Sequence, residues 1–519
     1  MQPSEFIGKY IKKISRRTKI TFFSTIIIGI AAHFFALVNT LNNYDNIRFN
    51  PTGIGVGVTS GRWLLSLIND KWHKFWGVYN VPFFNGGITL LFIAITACMI
   101  VKIFDIKNTL NCILIGGIII VFPPITSLMF FMFTAPYYAL AICLSVLAVF
   151  LCCISGYGWI ISILCIACSI GIYQAYLPIT AGLYVLLLIY QCICKEWGIK
   201  ETFFKGIQYL MILIAGLMTY YGLLKFFLNY YQMDLSSSQG IDSMGQLDIA
   251  HIPYLILDIL KNCFELSARN YCSINQSWPV RIFILGLMLS VILFFVTIIC
   301  DRTYKVQNIF CIICLSIILL IASDSIEIMC PNGFIYTLMV YGMVLLFIAP
   351  VIYMESIEKK SNNGKAHLLY LGEWIATISL IVIISNYIWQ SNGNYMSSYY
   401  TQEQTISYFQ TLVTRIKSVN GYSEKLPVVF IGDYYEDESF KNLWSETPFW
   451  YGGISGGLIN RYSADYFMKN YLGYNYKTIS EENKKKIEEK TKNMPEYPKD
   501  GSIQIIDNVI VVKRKYIKQ

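Results

Sequence analysis

Asp45 has the clearest chemical potential in the chain, because it closely follows the first long apolar stretch, residues 21–41. A carboxylate close to lipid costs free energy and is not needed to build a membrane span, so its position calls for a reason. At the boundary between membrane and water it could act as a general base, accepting the proton of a sugar hydroxyl that attacks an anomeric carbon. The alternative is a polar cap or loop residue.

Such a reaction would release a phosphate, which needs a nearby cation rather than an acid. Arg62 is the nearest candidate along the chain, and Lys261 and Arg269 in a later polar segment are others. Arg62 follows a glycine-rich run, residues 53–61, whose backbone amides could join it in binding a phosphate carried by a lipid. The run is no P-loop, because no Gly-Lys-Ser/Thr sequence ends it and no strand precedes it. The alternatives are a flexible turn for the glycines and structural roles for the cations.

Further polar and aromatic side chains lie at the ends of apolar stretches. Phe122-Pro123-Pro124 ends one stretch, Pro136-Tyr137-Tyr138 begins the next, and Tyr173-Gln174-Ala175-Tyr176 lies within a paired stretch in mid-chain. Aromatic belts account for most such tyrosines, and prolines are common stops at helix ends. Gln174 is harder to explain in this way, because an amide in an apolar segment needs a hydrogen-bonding partner.

Two groups of carboxylates are weaker candidates for binding an acceptor or a divalent cation. Asp324 and Glu327 lie in a short turn, and residues 229–279 hold a dispersed set for which a solvated loop is the alternative. The dispersed set is Asp234, Asp242, Asp248, Asp258 and Glu265. Cysteine and histidine nowhere have the spacing of a zinc site. No cofactor is therefore certain, and a divalent cation remains an option.

The composition indicates a membrane protein. Hydrophobic residues make up 55% of the 519 residues and charged residues only 14%, with a mean hydropathy of +0.50. Apolar runs of about 17–25 residues recur, each long enough to cross a bilayer core as a helix. We therefore predict a polytopic α-helical membrane protein with about eleven transmembrane helices. The predicted spans are 21–41, 82–103, 110–127, 134–154, 159–176, 178–194, 206–228, 280–300, 308–322, 333–353 and 368–388, and residues 159–194 form either a tight helix pair or a broken helix.

Basic residues predict the orientation. They occur in the amino-terminal arm and in alternate short loops near Lys102, Lys195, Arg302 and Lys359, which eleven spans place on one side. The positive-inside rule makes that side cytoplasmic. The first apolar run is too long for an ordinary signal sequence, so we expect it to be retained as a helix. Because the basic residues are scattered over loops, a nucleic-acid partner is not expected.

The chain is predicted to have three regions. Residues 1–20 form a cytoplasmic basic arm, residues 21–388 form a transmembrane domain with outer loops 42–81 and 229–279, and residues 389–519 form an extracytoplasmic domain. The last region is much richer in charge than the rest. It is predicted to be a small α/β domain, with strands near 428–433, 502–507 and 509–513 and helices near 462–472 and 480–492.

The order of these motifs resembles the Gtr-type (type II) membrane glucosyltransferase family of bacteria. The matching residues are Asn43-Tyr44-Asp45 after the first span, Gly61-Arg62-Trp63 at the start of a helix, Phe122-Pro123, and Tyr173-Gln174. The resemblance covers about residues 20–350. It implies a GT-C-like fold, and it implies that the acidic residue required in the first outer loop is Asp45. An Asp-Asp or Asp-Glu doublet is absent, because Asn46 follows.

The resemblance implies that a hexose, usually glucose, moves from a polyprenyl-phosphate donor to a cell-envelope polysaccharide or teichoic-acid-like acceptor. The transfer would take place at the outer face of the bacterial plasma membrane. Asp45 would be the catalytic base, and the residues predicted to bind the donor phosphate or the substrate are Tyr44, Arg62, Gln174 and Arg269.

Three alternatives differ in their chemistry. A polysaccharide or lipid-linked sugar transporter, or flippase, would need no external catalytic residue. A glycan polymerase or ligase would use a diphosphate-linked donor, and an attachment or assembly subunit would act through the carboxyl-terminal region. The charged outer region and the scarcity of charges midway through most spans argue against a transporter.

Overall fold

The computed structural model describes residues 13–49, 57–76, 81–236, 252–265, 267–268, 272–273, 278–300, 304–330, 335–358, 366–432 and 461–515, together with residues 2 and 5. The chain divides into two compact units, each described by itself below. Unit 1 comprises residues 1–38 and 54–392, and unit 2 comprises residues 39–53 and 393–519. Residues 39–53, predicted to belong to the transmembrane domain, therefore fall in the same unit as the carboxyl-terminal region.

Helices dominate the described chain. In chain order they are α1 (Arg16–Val38), α2 (Tyr44–Phe49), α3 (Trp63–Trp76), α4 (Pro82–Ile103), α5 (Thr109–Val121), α6 (Pro123–Phe130), α7 (Ala135–Ile154), α8 (Gly158–Ile172), α9 (Leu177–Lys195), α10 (Ile199–Tyr231), α11 (Ile252–Glu265), α12 (Trp278–Cys300), α13 (Val306–Ser323), α14 (Ile326–Met329), α15 (Val344–Glu358), α16 (Ala366–Lys417), α17 (Arg461–Asn470) and α18 (Glu481–Lys490). The strands are β1 (Ser267–Ala268), β2 (Cys272–Ser273), β3 (Val428–Ile431), β4 (Ile503–Ile506) and β5 (Val509–Lys513).

The prediction of a polytopic helical membrane protein is confirmed in its coarse form. In the described part of the chain, eight helices are long and apolar enough to cross a membrane, and α5 with α6 adds a ninth if this bent pair is one span. Every predicted span overlaps a helix. The exact number of crossings stays a prediction, because α8 and α15 have only 15 residues each.

The helix pair α5–α6 is bent by 41° at a position that the sequence marks. Phe122 has an extended backbone (φ −56°, ψ 135°), and the next two residues are Pro123 and Pro124. A residue before proline is disfavoured in helical conformation, and proline provides no amide for the preceding turn. The bend therefore follows directly from Phe122-Pro123.

Small residues bring α1 and α5 into close contact. A Cβ added to Gly116 would lie 2.2 Å from the Thr25 Oγ1 atom, and one added to Gly29 would lie 2.8 Å from Ile120. Thr25 cannot easily move, because its hydroxyl donates to the Thr21 carbonyl (2.6 Å) and its side chain is β-branched. Between apolar helices, where lipid competes with protein contacts, such close approach is a main source of attraction.

Glu355 fixes the opposite end of α5. Its carboxylate is almost fully buried on α15 and accepts hydrogen bonds from the Lys107 and Asn108 amides and from Asn111 Nδ2 (2.9 Å). These donors lie at the beginning of α5, where unpaired amides and the helix dipole favour a negative charge. The carboxylate thus connects the α4–α5 turn to α15.

The described residues of unit 2 form a small sheet with helices around it. Strand β5 lies between β3, which is parallel to it, and β4, which is antiparallel. The β4–β5 turn is Asp507-Asn508, and both residues have positive φ angles (50° and 58°). This is the geometry of a tight hairpin turn, in which Asp and Asn are favoured. The strands and the hairpin predicted from the sequence are therefore present.

The sheet of unit 2 separates two apolar clusters, because neighbouring side chains of a strand point to opposite faces. The first cluster contains Ile47, Phe409, Leu412, Ile416, Val428, Ala464, Phe467, Met468, Tyr474, Ile510 and Val512. The second contains Val429, Ile431, Ile487, Met494, Val509 and Val511. Ile47 belongs to α2, so a residue from the first polar segment is part of a core otherwise built by residues after 393.

Helix α16 differs from its predicted form. The sequence predicts a span at 368–388, whereas the helix continues to Lys417. Its last turns carry Phe409, Leu412 and Ile416 at intervals of three and four residues, and all three side chains are fully buried in the first cluster. Tertiary packing therefore extends a helix whose polar composition gives no strong helical signal.

The α1–α5 contact yields a stability prediction. We expect Gly116→Ala to lower the free energy of unfolding by about 1–3 kcal/mol, because the added methyl group forces the Thr25 hydroxyl from its place. Gly87→Ala is the matched control, since nothing lies within 4 Å of a Cβ at Gly87 of α4. It should leave stability unchanged or raise it, because alanine favours a helix by up to about 1 kcal/mol over glycine. Thermal unfolding in detergent measures both, and equal midpoints would contradict this packing.

Candidate active site

Arg62 lies on a short turn that folds back on itself before α3. Residues Val58–Ser60 form a 3-10 turn, in which the Ser60 amide donates to the Gly57 carbonyl (3.0 Å) and the Gly61 amide to the Val58 carbonyl (2.9 Å). The Arg62 amide also donates to the Gly57 carbonyl (3.1 Å). These three amides are therefore engaged within the turn. The predicted phosphate cradle of backbone amides is not formed by residues 60–62, and residues 53–56 lie outside the described residues.

The Arg62 side chain is held by two stacked tyrosines. Its Nη1 donates to the Tyr138 hydroxyl (2.9 Å), and its guanidinium lies 4.8 Å from the centre of the Tyr173 ring. The Tyr138 and Tyr173 rings are themselves stacked, 4.4 Å apart and inclined by 16°. A cation over an aromatic face is stabilised by the ring quadrupole. Among the described residues, Arg62 forms no ion pair, so its positive charge is not neutralised by a carboxylate.

Three polar atoms of this turn are buried without a hydrogen-bond partner among the described residues. They are Arg62 Nε, Trp63 Nε1 and Ser60 Oγ. Buried polar atoms in proteins are nearly always satisfied, and an exception indicates a water, an ion or a ligand. The Arg62 Nε atom is an N–H donor, as a site for an anion requires, whereas the Trp63 Nε1 atom lies against Gly171 of α8. We refer to Ser60, Arg62, Trp63, Tyr138 and Tyr173 as the Arg62 site.

Gln174 and Tyr220 hold the turn in place. Gln174 Nε2 donates to the Ser60 carbonyl (2.7 Å) and lies 3.2 Å from the Tyr220 hydroxyl, which in turn donates to the Gly61 carbonyl (3.1 Å). Gln174 thus has the partners that an amide in an apolar segment needs. The geometry places it behind the turn as a support, and its predicted contact with the substrate stays a prediction. Tyr220 was not identified from the sequence, because α10 is rich in aromatic residues and nothing distinguishes this one.

Gly61 is required by this arrangement for two reasons. Its φ angle is +76°, which L-residues with a side chain rarely adopt. A Cβ here would also lie 2.3 Å from Gln174 Nε2 and 2.6 Å from the Tyr220 hydroxyl. The residue before Arg62 therefore has to be glycine for the turn to approach its supports.

Trp63 is buried inside the protein. Its ring stacks on Phe227 of α10 (5.4 Å, 9°), and a Cβ added to Gly171 of α8 would lie 2.6 Å from the indole. A helix is expected to start at Gly61-Arg62-Trp63, and α3 does begin at Trp63. Its first residue serves as an anchor against α8 and α10, which fixes the direction in which the neighbouring Arg62 leaves the turn.

A row of aromatic rings connects the motifs that the sequence singled out. Tyr173 contacts Tyr176 (5.1 Å between centroids), Tyr176 contacts Tyr341 (6.5 Å), and Tyr341 contacts Phe122 (6.1 Å). These residues come from the α8–α9 junction, a 3-10 turn before α15 and the α5–α6 bend. The structure therefore brings Phe122, Tyr138, Tyr173 and Gln174 together in unit 1.

Asp324 and Glu327, the weaker acidic pair, are fully buried in unit 1. Asn262 of α11 donates through Nδ2 to Glu327 Oε1 (3.1 Å) and approaches Asp324 Oδ2 (3.4 Å). Residues 229–279 are predicted from the sequence to be a loop, and neither α11 nor a role for Asn262 is predicted. In the described residues, no group of three or more histidine, cysteine, aspartate or glutamate side chains is arranged to hold a metal ion.

The other predicted site residues lie elsewhere. Asp45 is on α2 in unit 2, half-buried, and Tyr44 beside it packs against the first apolar cluster of that unit. Arg269 lies outside the described residues, as do Asp242 and Asp248. Asp234 and Asp258 are exposed, in agreement with a solvated segment.

Comparison with known proteins identifies the family. The family described as Glucosyl transferase GtrII matches residues 34–347, which include Asp45, the Arg62 site and Gln174. Comparisons with curated proteins and with solved structures give no match. The matched region covers more than half of the chain and contains the motifs that the structure assembles. The chain is therefore a member of the GtrII glucosyl transferase family.

Proposed function

We propose that this membrane glucosyltransferase moves a hexose, with glucose expected, from a polyprenyl-phosphate donor to a cell-envelope glycan at the outer face of a bacterial plasma membrane. The observation that carries the proposal is the Arg62 guanidinium, which is held by Tyr138 and Tyr173, has no ion pair among the described residues, and leaves its Nε proton unsatisfied. An anionic group with several acceptor oxygens matches these donors, and a phosphate is such a group.

Cleavage of the donor produces the charge that Arg62 would stabilise. In a prenyl-phosphate sugar, the phosphate bridges two carbon atoms and carries one negative charge. When the bond between the anomeric carbon and the phosphate oxygen breaks, the departing monoester gains a second charge. A preorganised cation stabilises the transition state more than the ground state, because the charge develops as the bond breaks. An arginine suits this role, since it stays protonated in an apolar environment and presents several donors in one plane.

Asp45 would supply the proton transfer. Its carboxylate would accept the proton of an acceptor hydroxyl while that oxygen attacks the anomeric carbon from the side opposite the phosphate. One displacement with one base inverts the anomeric configuration. Asp45 and Arg62 belong to different units, and each role is proposed from the surroundings of that residue within its own unit.

The role of Asp45 predicts a loss of turnover without a loss of donor binding. We expect Asp45→Asn to lower kcat by about 10²–10⁴-fold, because the amide keeps the shape of the carboxylate but cannot accept the proton. Transfer of radiolabelled hexose from a prenyl-phosphate hexose measures turnover, and equilibrium binding of the donor is measured in parallel. Asp234→Asn, at an exposed carboxylate after α10, is the control and should retain activity. Full hexose transfer by Asp45→Asn would contradict the role of Asp45 as the base.

The role of Arg62 predicts a loss of selectivity for phosphate. We expect Arg62→Met to weaken binding of polyprenyl phosphate by about 10–100-fold, because a hydrogen bond to a charged group contributes about 1.5–3 kcal/mol. Binding of the corresponding uncharged prenol should change little, since no charge is involved. Arg281→Met, at an exposed arginine on α12, is the control. Equal losses for the phosphate and the prenol would show that Arg62 is structural.

The single displacement predicts inversion. We expect the anomeric proton of the newly attached sugar to show, by NMR, the configuration opposite to that in the donor. Two successive displacements through a covalent sugar–enzyme intermediate would retain the configuration instead. A product with retained configuration would therefore require a second nucleophile and exclude Asp45 as the sole carboxylate of the reaction.

A further inference from the structure

Helix α2, which carries Asp45, is built into the core of unit 2. It has only six residues, and its Ile47 side chain is fully buried in the first apolar cluster with Phe409, Val428 and Phe467. An isolated helix of this length is not stable in water, because the cost of nucleation exceeds the gain from one or two hydrogen bonds. The conformation of α2 therefore depends on the packing of Ile47 against residues that come from the last quarter of the chain.

Hydrogen bonds fix the segment that enters α2. Asn42 Nδ2 donates to Gln402 Oε1 of α16 (2.9 Å), and the Tyr471 hydroxyl donates to Asn42 Oδ1 (2.6 Å). Gln402 Nε2 donates in turn to the Thr40 carbonyl (2.9 Å). Asn42 is almost fully buried, so losing either partner would leave a buried amide unsatisfied. The chain before Asp45 is thus held at two residues by α16 and by the end of α17.

Further contacts fix both ends of α2. Asn43 caps α2, because its Oδ1 atom accepts a hydrogen bond from the Asn46 amide (2.8 Å). At the other end, Asn470 Nδ2 donates to the Ile47 carbonyl (3.4 Å), and the Arg48 guanidinium lies 5.8 Å from the Tyr466 ring of α17. Helix α17 therefore lies along α2. Asp45 on α2 is half-buried.

We propose that the carboxyl-terminal part of unit 2 is a positioning module for the base, in addition to any contact with the acceptor. Ile47, Asn42, Gln402 and Tyr471 are its positioning residues, since they fix the helix on which Asp45 stands without belonging to the reacting groups. This inference rests on the proposed role of Asp45. It assigns to residues 393–519 a direct effect on the rate of the chemical step, which a module that only captures the acceptor would not have.

The first test compares two isoleucines of equal burial. Ile47→Ala removes the anchor of α2, whereas Ile431→Ala makes the same truncation in the second apolar cluster, on the other face of the sheet. For the folded protein, we expect Ile47→Ala to lower kcat by about 10–100-fold with KM for the donor nearly unchanged, because misplacing a reacting group by about 1 Å costs up to about 100-fold. Ile431→Ala should leave kcat of the folded fraction nearly unchanged. Ile47→Leu conserves the side-chain volume and should restore most of the turnover.

The second test avoids any damage to the core. Tyr471→Phe removes only the hydroxyl that donates to Asn42, and Tyr476→Phe removes a hydroxyl that donates to Asp465 Oδ1 at the same distance (2.6 Å). We expect kcat to fall by about three- to tenfold in Tyr471→Phe and to stay within about twofold in Tyr476→Phe, as for one lost hydrogen bond of about 1 kcal/mol. Both variants should fold and bind donor like the unaltered protein.

The outcomes separate this inference from the proposed function. If Asp45→Asn is inactive while Ile47→Ala and Tyr471→Phe lose no more turnover than their controls, the positioning role is wrong and the base remains. If Asp45→Asn is fully active, the base is wrong, and the positioning role that depends on it is overturned with it. A selective fall in kcat for Ile47→Ala and Tyr471→Phe, with an inactive Asp45→Asn, supports both.

Discussion

The proposed role of unit 1 in donor binding depends on the surroundings of the Arg62 guanidinium. A half-buried cation needs compensation, and among the described residues the faces of Tyr138 and Tyr173 supply it for Arg62. A cation–π contact is worth about 0.5–2 kcal/mol, and Arg62, which is half-buried, makes two such contacts. Within the described part of the chain, the guanidinium is held by aromatic rings and a hydroxyl group and forms no ion pair. A carboxylate in the same position would satisfy Arg62 permanently and close the site to a phosphate.

That arrangement depends on backbone geometry as much as on side chains. Gly61 permits a left-handed turn, and Gln174 and Tyr220 bind the carbonyl groups that the turn exposes. Trp63, the residue after Arg62, then packs against α8 and α10. Functional residues on connections between rigid elements are common in proteins, because the elements fix the ends of a short segment. Here the position of the turn before α3 is fixed by hydrogen bonds from Gln174 and Tyr220 to its own carbonyl groups.

The sequence predicts local features well and distant contacts poorly. The apolar stretches give the helices, Phe122-Pro123 gives the bend in the α5–α6 pair, and Asp507-Asn508 gives the hairpin, because each depends on neighbouring residues. The contact of Arg62 with Tyr138, 76 residues later, has no local signal. Ile47 is one apolar residue in a polar segment, so nothing in the pattern shows that it joins a core made of residues after 393. Tyr220 and Asn262 are inconspicuous for the same reason.

The different locations of Arg62 and Asp45 agree with the roles proposed for their charges. A guanidinium keeps its charge in partly apolar surroundings, so an arginine can be held among apolar helices and still be a cation. A carboxylate in such surroundings tends to take up a proton, because desolvation disfavours its charged form, and a protonated acid cannot act as a base. A base is better carried by a polar α/β unit, where part of the carboxylate's surroundings is water. Helix α2 meets this requirement: Ile47 fastens it to an apolar core, and Asp45 stays on its half-buried surface.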